Sequence, residues 1–228
     1  MIGIIGAMDS EVDALKNILK DTKVETISNI EFNIGRFNDK QLIIAKSGVG
    51  KVFAAMCAQT MIIKYGVDIV INSGIAGSLD RELNIGDIAI ADKVVQHDID
   101  TSEVGDELGL ISGINKVYLQ CDNTVVEKLK EAASSLKYKY KLGTIASGDQ
   151  FIKSDKDKDF IINQFGAISN EMEGASIGQV CYVNGVKFGV VRVISDFGDN
   201  DSGDDYKKYK LSSSEISINV VKKFLEIV

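Results

Sequence analysis

The feature that most constrains this chain is an alternation of short apolar runs, broken by glycine, with stretches whose apolar residues recur at helical spacing. MIGIIGAM at 1 to 8, QLIIAKSG at 41 to 48, DIVINSGIAG at 68 to 77, DIAIADKVVQ at 87 to 96, TIASGDQF at 144 to 151, AISNEMEG at 167 to 174 and KFGVVRVISD at 187 to 196 each read as a buried strand. Helical patterns lie between many of them, at 10 to 20, 51 to 65, 123 to 137, 174 to 184 and 212 to 227. The last opens with serines suited to capping and sets Ile216, Val220, Val221, Phe224 and Leu225 on one face. Strands that alternate with helices predict an α/β fold: a mostly parallel or mixed, twisted sheet flanked by helices. A chain of 228 residues is long enough for one sizeable core, so residues 1–228 are expected to form a single domain.

Composition matters chiefly for what it excludes. A formal charge of −7 argues against nucleic acid as a partner, because phosphate-backbone affinity needs Lys and Arg gathered on one face. No apolar run approaches the roughly 18 residues of a membrane span, and the N-terminus has no signal-peptide pattern, so no membrane partner and a cytoplasmic protein are expected. Cys57, Cys121 and Cys181 are odd in number and widely spaced, which fits reduced packing thiols. His97 is the only histidine, so a multi-histidine metal site is ruled out and a structural role is expected for it.

In open α/β sheets ligands gather outside the carboxyl ends of the strands. There the sequence puts Glu11, Ser47-Gly48-Val49-Gly50, Ser73-Gly74-Ile75-Ala76-Gly77, Phe151 and Ile152, Glu171-Met172-Glu173, and Arg192 with Asp196. Gly3 and Gly6 lack the G-x-G-x-x-G spacing of a dinucleotide site, and S-G-V-G-K at 47 to 51 lacks the first glycine and the Ser or Thr of a P-loop. The glycines before the helix at 51 are expected to leave backbone N–H groups pointing at a small polar ligand. Two readings stand for Glu11: a carboxylate favoured at a helix N-terminus, or a site residue. Arg192 and Asp196 likewise read as an internal ion pair or as parts of a site. Residues 97 to 118 read as a long polar loop and Asp199 to Lys210 as a mobile segment that closes over a site.

Taken in order, G-I-I-G-A-M-D-S-E-V at 3 to 12, K-S-G-V-G-K-V at 46 to 52, I-N-S-G-I-A-G at 71 to 77, S-G-D-Q-F-I at 147 to 152, N-E-M-E-G-A at 170 to 175 and V-R-V-I-S-D at 191 to 196 resemble the signature segments of bacterial 5′-methylthioadenosine/S-adenosylhomocysteine nucleosidases. The resemblance covers the whole chain and implies a nucleoside phosphorylase-like fold, hydrolysis of an adenine N-glycosidic bond, no cofactor and a homodimer. It implies Asp196 as the acid at adenine N7 and Glu11 as the base for water, with Arg192 positioning that water or Glu11. It further implies Glu173 on the ribose hydroxyls, Met172 against the sugar, Phe151 stacked on adenine and the Ile152 backbone at its edge. Met8, Val49, Ile75, Ala76, Gly77, Glu171, Ser195 and Tyr206, the last at an aromatic lid position, complete the implied pocket.

The chain departs from the family at Ile75, where a small hydroxyl residue is usual, and in the 101 to 113 loop, which lacks the aromatics that cover the 5′-substituent. Glu103, Asp106 and Glu107 of that loop would disfavour the carboxylate of homocysteine if they approached the 5′ end. The alternatives are a phosphate-dependent nucleoside phosphorylase, and a catalytically silent nucleoside-binding protein on the same scaffold. The first would have to hold phosphate beside Glu11, and the second leaves Glu11, Glu173 and Asp196 without a purpose.

Overall fold

The computed structural model describes all 228 residues. The elements in chain order are β1 (Ile2–Gly6), α1 (Asp9–Lys16), β2 (Lys20–Ile27), β3 (Ile30–Phe37), β4 (Lys40–Lys46), α2 (Lys51–Tyr65), β5 (Ile69–Ser78), β6 (Ile88–Gln96), β7 (Tyr118–Gln120), α3 (Asn123–Ser135), β8 (Tyr140–Ser147), α4 (Asp155–Phe165), β9 (Ala167–Glu171), α5 (Gly174–Asn184), β10 (Lys187–Asp196) and α6 (Ser202–Ile227). Every expected buried strand is present within a residue or a few of its expected ends. The fold is the α/β architecture read from the sequence, with one mixed sheet and helices packed on it.

The sheet runs β10-β6-β8-β9-β5-β1-β4-β3-β2, with β7 on β6. It also closes on part of itself. β5 pairs with β10 in parallel and with β9 antiparallel, and β10-β6-β8-β9 completes the circuit. Closure brings the carboxyl end of β5 between those of β9 and β10: Gly77 pairs with Asn170 on one side and with Asp196 on the other. The main core fills the space between sheet and helices, with Ile4, Ile5, Ile44, Ile71, Val191, Phe224 and Leu225 at or near zero exposure. A smaller core of Leu79, Val95, Ile152, Ile161 and Phe165 lies under α4 and anchors the segment after β8.

The departures from the sequence reading have physical causes. The Asp199 to Lys210 segment is not a mobile loop: α6 begins at Ser202 and runs 26 residues. Its polar first turns hide the helical period, yet Asp204 and Asp205 sit where the positive end of the helix dipole favours them. The serines expected as caps lie inside this helix and bond across it, Ser213 Oγ to Ile194 O at 3.0 Å and Ser217 Oγ to Ser73 Oγ at 2.7 Å. The hairpin β2–β3 escapes a search for apolar runs because β2 is largely exposed, and its turn at Ser28 and Asn29 takes two positive φ angles, 50° and 62°, as a tight hairpin requires. The helix expected over 10 to 20 stops at Lys16, because Lys20 already belongs to β2.

The helix α4 adds to the expected set and is capped by Ser154 Oγ, which accepts from Asp157 N at 3.2 Å. Residues 97 to 117 remain mainly loop, with one short helical turn at Ser102–Val104. The three cysteines are free and buried, and burial pushes Cys57 and Cys181 up to about 12. No helix is long and apolar enough to cross a membrane.

Candidate active site

A cavity of about 410 Å3 opens where β1, β5, β9 and β10 end. That volume suits a small organic ligand. Met8, Glu11, Val49, Ile75, Ala76, Gly77, Phe151, Ile152, Glu171, Met172, Glu173, Arg192, Ser195, Asp196 and Tyr206 all line it. The structure thus brings together the residues of the implied pocket and adds Ala7, Gln150, Asn170, Gly203 and Lys207, while Ser47, Gly48, Gly50, Ser73 and Gly74 do not line the cavity. Gly203 and Lys207 escaped notice because their segment read as a loop; Asn170 was masked by the louder carboxylates that follow it.

Glu11 stands in the first turn of α1, just after β1. Its Oε2 accepts Ala7 N at 2.7 Å and Met8 N at 3.0 Å, and its Oε1 accepts Ile75 N at 3.1 Å. Both sequence readings therefore hold at one residue: the carboxylate closes the helix N-terminus and also faces the cavity. Burial raises its pKa, against the opposing pull of Arg192 and the three N–H groups. Gly74 makes the approach possible, since a Cβ there would collide with Glu11 Oε1 and Arg192 Nη1.

Arg192 is fully buried at the centre of the site. It pairs with Glu171, with Glu173 Oε2 at 3.3 Å, and with Asn72 Oδ1. The ion pair with Asp196 considered above does not form. Four residues along a strand separate the two by about 13 Å, and the closer carboxylates arrive from β9 and the turn after it. Glu171 is engaged inside the protein, accepting Ser147 Oγ and the backbone N–H groups of Glu173 and Gly174 at 2.8 to 3.0 Å. Glu173 Oε1 accepts Gly50 N at 2.9 Å, and Lys51 N is taken by Asp149 Oδ1 at 2.8 Å. These helix N-terminal donors, expected to face a ligand, are bound to the protein's own carboxylates.

Three carboxylates, Glu11, Glu171 and Glu173, thus share one guanidinium. One cation does not compensate three buried anions, and the Glu173 carboxyl is pushed up to about 7, first by burial and against the pull of Arg192. Across the cavity, Asp196 Oδ2 accepts Ser195 Oγ at 2.9 Å and Oδ1 accepts Gly198 N at 3.1 Å. No cation pairs with it, and burial raises its pKa.

The segment after β8 carries Phe151, whose ring meets Tyr206 edge-to-face at 5.7 Å, while Tyr206 Oη donates to Met8 Sδ at 3.1 Å. Behind it, Asp98 accepts Asp149 N at 2.9 Å and pairs with Lys51 Nζ at 2.5 Å. His97 is buried beside Gly148, where a side chain would strike its ring. Glu103, Asp106 and Glu107 do not line the cavity; Asp106 accepts Thr101 Oγ1 at 2.8 Å. No three His, Cys, Asp or Glu side chains are grouped to hold a metal ion.

A site that combines an unpaired acid at one end, a carboxylate–guanidinium cluster at the other and aromatic rings above is suited to protonating a leaving group while activating a nucleophile on the far side. Comparison with known proteins agrees. Residues 1–226 match the model of the phosphorylase superfamily. A 5′-methylthioadenosine/S-adenosylhomocysteine nucleosidase of Staphylococcus saprophyticus is 35% identical over 229 residues, covering 100% of both chains. A Helicobacter pylori 5′-methylthioadenosine nucleosidase mutant, solved with 5′-methylthioadenosine in its active site, superposes with a TM-score of 0.96 at 33% identity, covering 100% of this chain and 98% of its own. A structure from the same organism described as futalosine hydrolase superposes with a TM-score of 0.96 at 34% identity, covering 100% and 97%.

Proposed function

We propose, on the premise that this chain belongs to the phosphorylase superfamily and within it to the 5′-methylthioadenosine/S-adenosylhomocysteine nucleosidases, that it is an N-ribosyl hydrolase releasing adenine from 5′-methylthioadenosine and S-adenosylhomocysteine, and from 5′-deoxyadenosine by the same chemistry. The observation that carries this reading is the division of labour among buried carboxylates: Asp196 without a cation at one end of the cavity, Glu11 and Glu173 around Arg192 at the other. Asp196 holds a proton and delivers it to adenine N7, so that the base leaves neutral. Glu11 accepts a proton from water as that water attacks C1′ and the C1′–N9 bond breaks. Its raised pKa makes it a better base than an ordinary carboxylate. Glu173 takes the ribose hydroxyls, Met172 packs on the sugar, and Phe151 with Ile152 holds the purine. Neither a metal nor an organic cofactor is needed for these steps.

The phosphorylase alternative is disfavoured by charge. A phosphate would have to enter beside Glu11 and Glu173, where the only buried cation is already paired with carboxylates. The active form is a homodimer, supported by a line of exposed apolar side chains on α2, Val52, Phe53, Met56 and Ile63, next to Tyr182 and Val183 of α5. The decisive assay measures adenine and 5-methylthioribose from 5′-methylthioadenosine in phosphate-free buffer. Equal release with and without phosphate is expected; release that requires phosphate overturns hydrolysis. Futalosine supplied in place of 5′-methylthioadenosine tests the other substrate named among the relatives.

A further inference from the structure

Gly77 is the only residue between two polar side chains that lean over it from opposite strands. Asn170 of β9 and Asp196 of β10 are both its register partners. The point where a Gly77 Cβ would stand lies 2.7 Å from Asn170 Oδ1 and 2.8 Å from Asp196 Oδ1. Asn170 is 7% exposed, lines the cavity, and its Oδ1 has no hydrogen-bond partner. A buried amide oxygen left without a donor is unfavourable. An ionised Asp196 would make this worse by setting a second acceptor against the first.

We propose that Asn170 is a positioning residue for the acid: its free Oδ1 favours the protonated Asp196 carboxyl and so keeps the proton at the purine end of the cavity. The inference rests on the assignment of Asp196 as the acid. It concerns what holds the proton there before substrate arrives. The other groups around Asp196 do not supply this contact. β5 offers only Gly77, and Ser195 Oγ and Gly198 N donate to the carboxylate and so favour its ionised form. From α6, the Ser202 hydroxyl also favours the ionised form, Asp205 acts as a like charge and Lys207 lines the cavity; from α4, Lys158 is taken by the Phe197 carbonyl. Glu11, Glu171, Glu173 and Arg192 form their own cluster at the other end.

The test replaces the amide with an apolar group of similar size, Asn170→Leu, and with Asn170→Val, which suits extended backbone if leucine overpacks. The Asp196 carboxyl is followed in the ligand-free protein by 13C NMR, its resonance identified by its loss in Asp196→Asn. It should titrate about one pH unit lower in either variant. The basic limb of kcat/KM for 5′-methylthioadenosine should move down with it. The loss of kcat/KM should be smaller for 4-nitrophenyl 5-methylthioriboside, whose leaving group needs no proton, than for 5′-methylthioadenosine. An unmoved or raised titration in both variants overturns the inference, as do equal losses on the two substrates. A lowered titration in a protein that releases no adenine supports the contact and overturns the hydrolytic reading instead.

Discussion

Asp196 and Glu11 are both carboxyls withdrawn from water, and what separates the roles proposed for them is what each is bonded to. Asp196 meets a hydroxyl, one N–H and no cation, whereas Glu11 meets three N–H groups and the field of Arg192. Asp196→Asn removes an acidic proton without changing shape, and Glu11→Gln removes the base in the same way. Each should lower kcat on 5′-methylthioadenosine by about 10² or more, equivalent to roughly 3 kcal/mol of barrier, with substrate binding retained in Glu11→Gln. Turnover of either variant within ten-fold of wild type would return that residue to a purely structural role. At this scale the chain's residue types were informative: buried acids in apolar strand ends stand out. Their partners were not. The Arg192 pairing with Glu171 and Glu173 depends on which strands lie side by side, and nothing in V-R-V-I-S-D announces it.

Among the elements, α2 and the segment after β8 act as one unit. Asp149 Oδ1 holds the first N–H of α2, Asp98 holds Asp149 N and Lys51 Nζ, and Gly50 N in turn holds Glu173. In the proposed binding mode this chain of contacts ties the purine end, through Phe151, to the ribose end. Asp149→Ala should therefore raise KM for 5′-methylthioadenosine several-fold and lower kcat less, because the acid and base stand on other elements. Steady-state kinetics decides it: an unchanged KM would mean that the Asp149 contact does not position Phe151. The S-G-D-Q-F-I run was legible as part of a site. Its Asp was not legible as a strut, since its partners lie about 50 and 100 residues away in the chain.

For the whole molecule, the cost of the site should be visible in stability against pH. Glu173 is pushed up to about 7, and Glu11 and Asp196 are also raised, so the folded state binds protons that the unfolded chain has released. Stability from Glu173 is fully present below its unfolded pKa near 4.5 and is lost as pH rises through about 7, and the raised Glu11 and Asp196 act in the same direction. Surface carboxyls held low by Lys partners, such as Asp9 and Glu25, act oppositely and lose their contribution only in stronger acid. Unfolding free energies from denaturant titrations should thus be highest in mild acid and fall toward pH 8, by on the order of 3 kcal/mol for Glu173 alone. Glu173→Gln should flatten that fall; a curve that rises steadily to pH 8 would contradict the raised values. At the same scale, light scattering should give twice the chain mass, and Phe53→Glu on the exposed face of α2 should halve it.

By itself the sequence determined the α/β class, the buried strands and many of the residues that meet in the cavity, because apolar runs and helical periods are local patterns and the site gathers at strand ends. Only the tertiary structure decided how those residues are charged and bonded. Closure of the sheet through β5, β9 and β10 sets Asn170 and Asp196 over Gly77 and brings Glu171 and Glu173 to Arg192. It also gives the polar Asp199 to Lys210 stretch a cavity wall to form as the start of α6. Burial and pairing are properties of neighbours in space, and at this site those neighbours come from segments far apart in the chain.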